Sequence, residues 1–196
     1  MARFNEAFIF RAAGADPDKR GVREHQLART QFIAATDAAA AAAIATALVE
    51  EGLDLLELYG FGPTAAAQVL AATHGAVPVG LVGVEERDIP THRAVISPSP
   101  NADPARDRYV HEHAGSRMTI VSVPGPEAVP EVAVTLVEEG VERIDVCGGL
   151  GPVPAAAAID AVGTRATVGT VMFGFESLPG VADYRARFEQ ALAQAN

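Results

Sequence analysis

The chain repeats itself, and that constrains its fold more than anything else in it. Residues 49–63 read VEEGLDLLELYGFGP, and residues 137–152 read VEEGVERIDVCGGLGP. Val137 follows Val49 by 88 residues, Asp103 follows Asp16 by 87, and Val168 follows Val79 by 89. Glu24-His25 and Arg29 recur as Glu112-His113 and Arg117. A separation that drifts by single residues is what small loop insertions leave between two copies of one unit. One copy alone would bury too little surface to be robust, so the two are expected to depend on each other.

Each copy predicts the same order of elements. A short apolar strand (Ala7–Phe10 or Ala94–Ile96) leads into a polar loop with Asp-Pro. A second strand follows, Gln31–Ala35 or Thr119–Val123. Then come a helix from Asp37 to Glu51 or from Glu127 to Glu139, and a strand, Leu55–Tyr59 or Arg143–Cys147. A glycine turn opens a second helix, Thr64–Thr73 or Pro154–Val162, before a last strand, Val77–Val84 or Thr167–Phe173. Asp37 suits an N-cap, and Gly52 and Gly140 stand where a helix leaves through a left-handed residue. Strands alternating with helices give parallel crossovers. With 49% hydrophobic residues and no Trp, the core must be Ala, Val, Leu and Ile, as in helices on a parallel sheet. The expectation is an α/β protein of duplicated β-β-α-β-α-β units with mainly parallel strands in a pseudo-twofold arrangement. The repeats span 1–90 and 91–180, with a C-terminal helix at 181–196. Closure of both halves into one βα barrel is the alternative.

Charge and composition narrow the partners. A net charge of −10 argues against a nucleic-acid groove, which needs a surplus of Lys and Arg. The one lysine, Lys19, sits in a polar loop, and the one cysteine, Cys147, permits no intrachain disulfide. The beginning MARFNEAFIF lacks the features of a signal peptide, and no apolar run reaches membrane-spanning length. These features predict a cytoplasmic protein without membrane or nucleic-acid partners, either a monomer (a fused pseudo-dimer) or a homodimer, with a small molecule as its ligand.

Ligands of parallel sheets bind beyond the carboxyl ends of the strands, so candidate residues are sought there. The glycine turns Gly60-Phe61-Gly62 and Gly148-Gly149-Leu150-Gly151 stand between a strand and a helix start. They suit either an anion at the helix N-terminus or a tight turn without a ligand. Pro152 and Pro154 remove two donors. Glu57 and Asp145 are equivalent acids inside apolar strands, where a carboxylate needs a partner. Glu176 and its counterpart Glu85 follow the last strands. These carboxylates fit a divalent cation or acid/base work or, equally, structural ion pairs with Arg29 or Arg117 or a strand edge open to solvent. His25 and His113 suit a general base, or solvated loop positions. Cys147 ends a strand facing a helix start, which suits a nucleophile as well as a small core residue, and Tyr59 replaces it in the first copy. The catalytic candidates are therefore Asp145, Cys147, Glu57, His113, His25 and Glu176. The ligand-binding candidates are Gly148, Gly149, Gly151, Gly60, Gly62, Tyr59, Arg117 and Arg29. No zinc signature or nucleotide fingerprint is present and no metal ligand is singled out, and the residues leave the cofactor open.

The segments Ala7-Phe8-Ile9-Phe10-Arg11-Ala12, Ile144-Asp145-Val146-Cys147-Gly148-Gly149-Leu150-Gly151-Pro152 and Phe173-Gly174-Phe175-Glu176-Ser177 resemble an uncharacterised bacterial family of short single-unit proteins. The resemblance covers both halves and implies an α/β fold without an assigned activity. The second half is nearer the pattern. In the first, Tyr59-Gly60-Phe61-Gly62-Pro63 has no Cys, and Glu85-Glu86 stands for Glu-Ser. The first copy is thereby expected to have altered any site. A generic likeness to aldolase-type barrels is opposed by the lack of a buried lysine. Two functions remain in view: an enzyme acting on a small anionic metabolite at the strand ends, and a non-catalytic small-molecule binding or interaction module.

Overall fold

Glycines set where the first helix of each copy stops. In the computed structural model, which describes residues 3–24, 27–83, 89–113 and 115–195, α1 spans Ala38–Glu50 and α3 spans Val129–Glu138. Gly52 and Gly140 both have φ of 86°. Gly52 donates to the Val49 carbonyl, and Leu53 donates to the Leu48 carbonyl, at 3.0 Å each. Gly140 and Val141 repeat this on Val137 and Leu136. This is a Schellman ending, with apolar contact between the residue after the glycine and the last turn. At the other end of α1, the Asp37 carboxylate accepts from Ala40 N–H at 2.9 Å. That bond, seconded by the Thr36 hydroxyl, holds the Asp37 carboxyl below its ordinary value.

The strands of the first copy are β1 (Phe4–Arg11), β2 (Gly21–Glu24), β3 (Ala28–Ala35), β4 (Leu55–Tyr59) and β5 (Val79–Leu81). Those of the second are β6 (His92–Pro98), β7 (Arg108–His113), β8 (Ser116–Val123), β9 (Arg143–Val146) and β10 (Thr167–Thr170). A short β11 (Met172–Phe173) follows. The second helices are α2 (Pro63–Ala72) and α4 (Pro152–Val162), and α5 (Leu178–Ala195) closes the chain. Among the described residues the strands form two sheets, ordered β11-β5-β4-β1-β3-β2 and β10-β9-β6-β8-β7. The barrel alternative is thereby excluded. All pairs within β5-β4-β1-β3 and β10-β9-β6-β8 are parallel, while β2 and β7 run antiparallel to β3 and β8.

The antiparallel β2 and β7 correct the expectation of a plain polar loop after the first strand. Their sequences, GVRE and RYVHEH, lack an apolar run because each is an edge strand with a largely exposed face. The predicted strand Thr167–Phe173 is also divided. β10 belongs to the second sheet, and β11 pairs with β5 in the first.

One face of each sheet is covered by its own two helices. In the first, Ala7, Ile9, Ile33, Leu56 and Leu58 pack with Ala41, Ala45, Leu48, Ala65 and Val69. In the second, Ala94, Ile96, Val121, Ile144 and Val146 pack with Val132, Leu136, Ala155 and Ala158. The compact units are residues 1–86 with 173–196, and residues 87–172. The segment after β10 thus packs with the first unit.

Nothing lies within 4 Å of a Cβ built on Gly140. Gly140→Ala therefore meets only the backbone penalty of the left-handed conformation. A loss of about 1 kcal/mol is expected in urea unfolding, with an unchanged m-value.

Candidate functional site

Register places the two equivalent acids within their strands, on the face opposite the helices. In the first sheet, Phe8 stands beside Glu57, and Phe10 stands between Tyr59 and Ala34. In the second, Val95 stands beside Asp145. Glu57 is 1% exposed and Asp145 0%. A carboxylate so far from water must be matched, and each copy matches it differently.

Asp145 lies between two arginines. Arg143 donates from Nε to Oδ1 at 2.9 Å, and Arg93 places its Nε 3.5 Å from Oδ2. Arg143 is two residues before Asp145 on the same strand, and Arg93 aligns with Arg143 on β6, so all three share one face. The Arg93 side chain is buried and that of Arg143 mostly so. In the first copy the aligned positions are Glu6 and Leu55. Glu57 there accepts a hydrogen bond from the Tyr59 hydroxyl, two residues along its own strand. The sequence reading paired the acids with Arg29 or Arg117. Instead, Arg117 lies 3.6 Å from Glu112 in a half-exposed pair, and Arg29 stands opposite Glu24 on β3.

The strand ends of the second copy carry small polar groups. Cys147 continues β9, its N–H bonding the Ile96 carbonyl at 2.9 Å. Ser97 and Ser122 are register partners on β6 and β8. A row of Cys147, Ser97 and Ser122 thus crosses the sheet where the first copy has Tyr59, Phe10 and Ala34. Cys147 is 5% exposed, and Ser97 and Ser122 are buried. The turn after Cys147 is more open, with Gly148, Leu150 and Gly151 half-buried and Gly149 exposed. In the first copy Gly60, Phe61 and Gly62 are all buried.

This turn offers an anion little. Leu150 and Gly151 direct their N–H groups at the Cys147 carbonyl, at 3.0 and 3.3 Å. Pro152 and Pro154, in the first turn of α4, have no N–H to give. Gly151 itself has φ of 77°, as Gly60 has 76°, so both turns use glycine to reverse direction.

The histidine and arginine candidates stand elsewhere. His113 pairs with Ser116 at the start of β8, where it stacks on His111 at 6.5 Å between ring centroids. Arg117 lies five residues before Ser122 on β8, about 17 Å along the strand. Arg29 is likewise near the start of β3. Neither His113 nor Arg117 shares an end of the sheet with the Cys147 turn. Glu176 is exposed in a 3-10 turn, Phe175–Ser177. His25 and Glu85 lie outside the described residues. Among the described residues no group of three His, Cys, Asp or Glu side chains could hold a metal ion.

Sequence reasoning missed Arg93, Arg143, Ser97 and Ser122. Arg143 was within reach, because strand alternation puts residues two apart on one face. Arg93, Ser97 and Ser122 needed the register between strands.

One sequence profile, that of a family of unknown function (DUF6506), matches twice, at residues 4–97 and 91–186, in keeping with the repeat. The chain belongs to this family. It is a tandem of two DUF6506 units, and the second match runs on through β11 into α5. No curated protein matches the chain. Among solved structures, an NtrC family transcriptional regulator from Clostridium acetobutylicum is similar at 13% identity and a TM-score of 0.34, covering 97% of this chain and 100% of that one. A carbohydrate transporter from Acidothermus cellulolyticus in complex with myo-inositol gives 12% identity, a TM-score of 0.31, and coverage of 86% and 73%. The ABC domain in complex with L-Trp from Streptococcus pneumonia gives 10%, 0.28, and coverage of 86% and 74%. Likeness at this level carries no argument about the DUF6506 tandem. No helix among its described residues is long and apolar enough to cross a membrane.

Two measurements test this assignment of roles. Asp145→Ala takes the carboxylate from two buried guanidiniums and is expected to cost about 3–5 kcal/mol in chemical unfolding. Glu57→Gln keeps an acceptor for Tyr59 and is expected to cost less than about 1.5 kcal/mol. Similar losses from both would deny the difference between the copies.

His92 gives a second, pH-dependent test. It is buried on β6, its Nε2 3.1 Å from the Thr119 hydroxyl. Burial first, and then the Arg117 charge, push its imidazole below the ordinary value, against the pull of Glu139 and Glu142. The unfolded chain therefore takes up this proton first. Its contribution to stability is fully present above the ordinary value of about 6.5 and is lost as pH falls through the depressed folded value. Melting temperature is expected to fall with acidification below about pH 6.5, and His92→Gln should remove part of that slope.

Proposed function

We propose that this DUF6506 tandem is a small-molecule binding protein whose site lies at the strand ends of the second copy. The observation that carries the reading is the row Cys147, Ser97 and Ser122 beside the half-open turn Gly148–Gly151, where the first copy is filled by Tyr59, Phe10 and Phe61. Small polar side chains at the carboxyl ends of parallel strands are where ligands of such sheets are held. The turn spends two of its amides on the Cys147 carbonyl, and two prolines follow. This favours a neutral polar ligand, recognised by hydroxyls and backbone, over a phosphate or carboxylate.

The same geometry speaks for binding over acid/base catalysis. Asp145 is engaged by Arg93 and Arg143, and Glu57 by Tyr59. A general base must reach the proton it removes, and both carboxylates lie within the sheet face rather than at its open end. In this reading the acids hold the face together, and the cysteine row meets the ligand. Catalysis would fall to Cys147, whose place before a helix start suits a nucleophile.

The test is a thermal-shift panel of sugars, polyols and neutral amino acids, with phosphorylated and carboxylated metabolites alongside. A ligand that binds the folded chain raises the melting temperature by mass action. A neutral compound is expected to do so, and Gly149→Val is expected to abolish its shift, because a Cβ at Gly149 would already lie 3.2 Å from Pro98 Cγ and 3.8 Å from the Cys147 sulfur. A shift from anions that survives Gly149→Val would overturn the proposed site. Turnover of the ligand, lost in Cys147→Ser, would select the enzyme instead.

A further inference from the structure

By sequence, the segment after β10 belongs to the second DUF6506 unit, whose match runs to residue 186. By structure it completes the first. β11 extends the first sheet beyond β5. Ser177, buried at 3% exposure, then accepts from Val79 N–H at 3.0 Å and donates to the Val79 carbonyl at 3.3 Å. One hydroxyl thereby satisfies both outward groups of Val79, as a further strand would. Gly180 packs on Pro78, so closely that a Cβ there would lie 3.3 Å from Pro78 Cβ.

Along α5 the contacts turn aromatic and ionic. Tyr184 and Phe188 each set their rings 5.3 Å from the Phe4 ring. Arg187 lies 5.3 Å over Phe4 and 3.1 Å from Asp54. Tyr184 donates to Glu6, which also accepts from Thr30 at 2.7 Å. A strand, a buried hydroxyl, a close glycine contact and an aromatic cluster make a specific receptor on the first unit for an element of the second repeat.

We infer that this receptor also accepts the same tail from a second copy of the chain, giving a tail-exchanged dimer. Two observations point to that occupant. Val171 alone separates β10 from β11, and a short connection between packed elements favours exchange over a slack intramolecular return. At this connection the chain also leaves apolar side chains in water: Phe175 is 87% exposed, with Met172 and Leu178 about half exposed. Exchanging chains cross at the connection, so a dimer brings two such groups together and gives them cover. Every contact of the tail is the same within a chain or between chains. The balance is set by effective concentration against protein concentration. The inference is independent of the ligand site.

The test uses full-length chains in which Cys147 is replaced by Ser, each then given one cysteine at the Gly180–Pro78 contact, where the Cβ separation is near that of a disulfide. Chains with Pro78→Cys and chains with Gly180→Cys are given different tags, expressed together and oxidised. A covalent mixed dimer, formed by neither variant alone and rising in yield with protein concentration, is expected. The double variant, with both cysteines in one chain, reports whether the tail docks at all. A crosslink confined within the double variant at every concentration, with no mixed dimer from the single variants, would overturn the exchange. Failure of the double variant to crosslink would overturn the docking itself. Sedimentation of the unsubstituted chain is the check free of substitutions, and a monomer across the whole concentration range would sink the inference.

Discussion

A carboxylate cannot stand alone in a sheet face from which water has been excluded, and much of this molecule follows from how that condition is met. Both copies keep an acid at the same place, in the strand that follows the first helix. With Asp145, the neighbouring strand and the position two residues earlier supply arginines. With Glu57, the same neighbouring positions are Glu6 and Leu55, and the partner comes from two residues later, as Tyr59. The choice propagates. A tyrosine at the strand end fills the space where the second copy has Cys147, and Phe10 and Phe8 stand beside it on β1. An arginine pair leaves the strand end free for small side chains. The side chains at each strand end thus differ with how the copy satisfies one buried carboxylate.

Sheet edges impose the second condition. The outer edge of a parallel sheet presents backbone groups that must pair, be covered or stay wet. At the β5 edge the chain uses β11 and then a serine hydroxyl, and it secures them with a helix whose aromatic residues reach Phe4 on a different strand. At one further edge of each sheet, β2 and β7 are antiparallel strands rich in charge, with Arg23, Glu24, Arg108 and Glu112. Charged, short edge strands discourage further pairing. The tail is different in kind, because the piece that protects the first copy is carried by the second. A tandem in which one copy completes the other is more than two domains on a string. Losing the tail would expose an edge far from it in sequence.

Much of this was legible in the residues. The duplication, the parallel strands, the Gly52 and Gly140 helix ends and the Asp37 cap all follow from patterns with a local cause. β2 and β7 were not legible, because a four-residue edge strand such as GVRE has no alternation to read. The break at Val171 was hidden too. Thr167 to Phe173 reads as one β-rich run, and only the pairing partners reveal that its two ends serve different sheets. Register explains the remaining differences in the candidate site. Sequence placed His113 and Arg117 near Asp145 because they recur together in both copies. Register puts Asp145 level with Ile120, whereas Arg117 and Ser116, the partner of His113, lie three and four residues nearer the start of β8. Recurrence shows that a residue matters to the unit without saying where in the unit it stands.

The two copies differ in a direction that duplication makes available. In a protein assembled from identical units, the acid and its neighbours would have to serve both structure and ligand in every copy. Fusion removes that restriction. The first copy fills volume: Phe8, Phe10, Phe32 and Tyr59 bury large rings on the face that carries Glu57, with Phe8 packed at 5.7 Å on Phe32 and 5.3 Å on Tyr59. Such contacts stabilise through apolar area and ring geometry. The second copy has Val95 beside Asp145, with Ile120 beyond Val95 and Met118 beyond Arg93 on β8, and serines and a cysteine at the strand ends. Its charge trio costs desolvation that the first copy avoids. The two copies thus meet one requirement by different means, the first with large rings around Glu57 and the second with an arginine pair that leaves small residues at the strand ends.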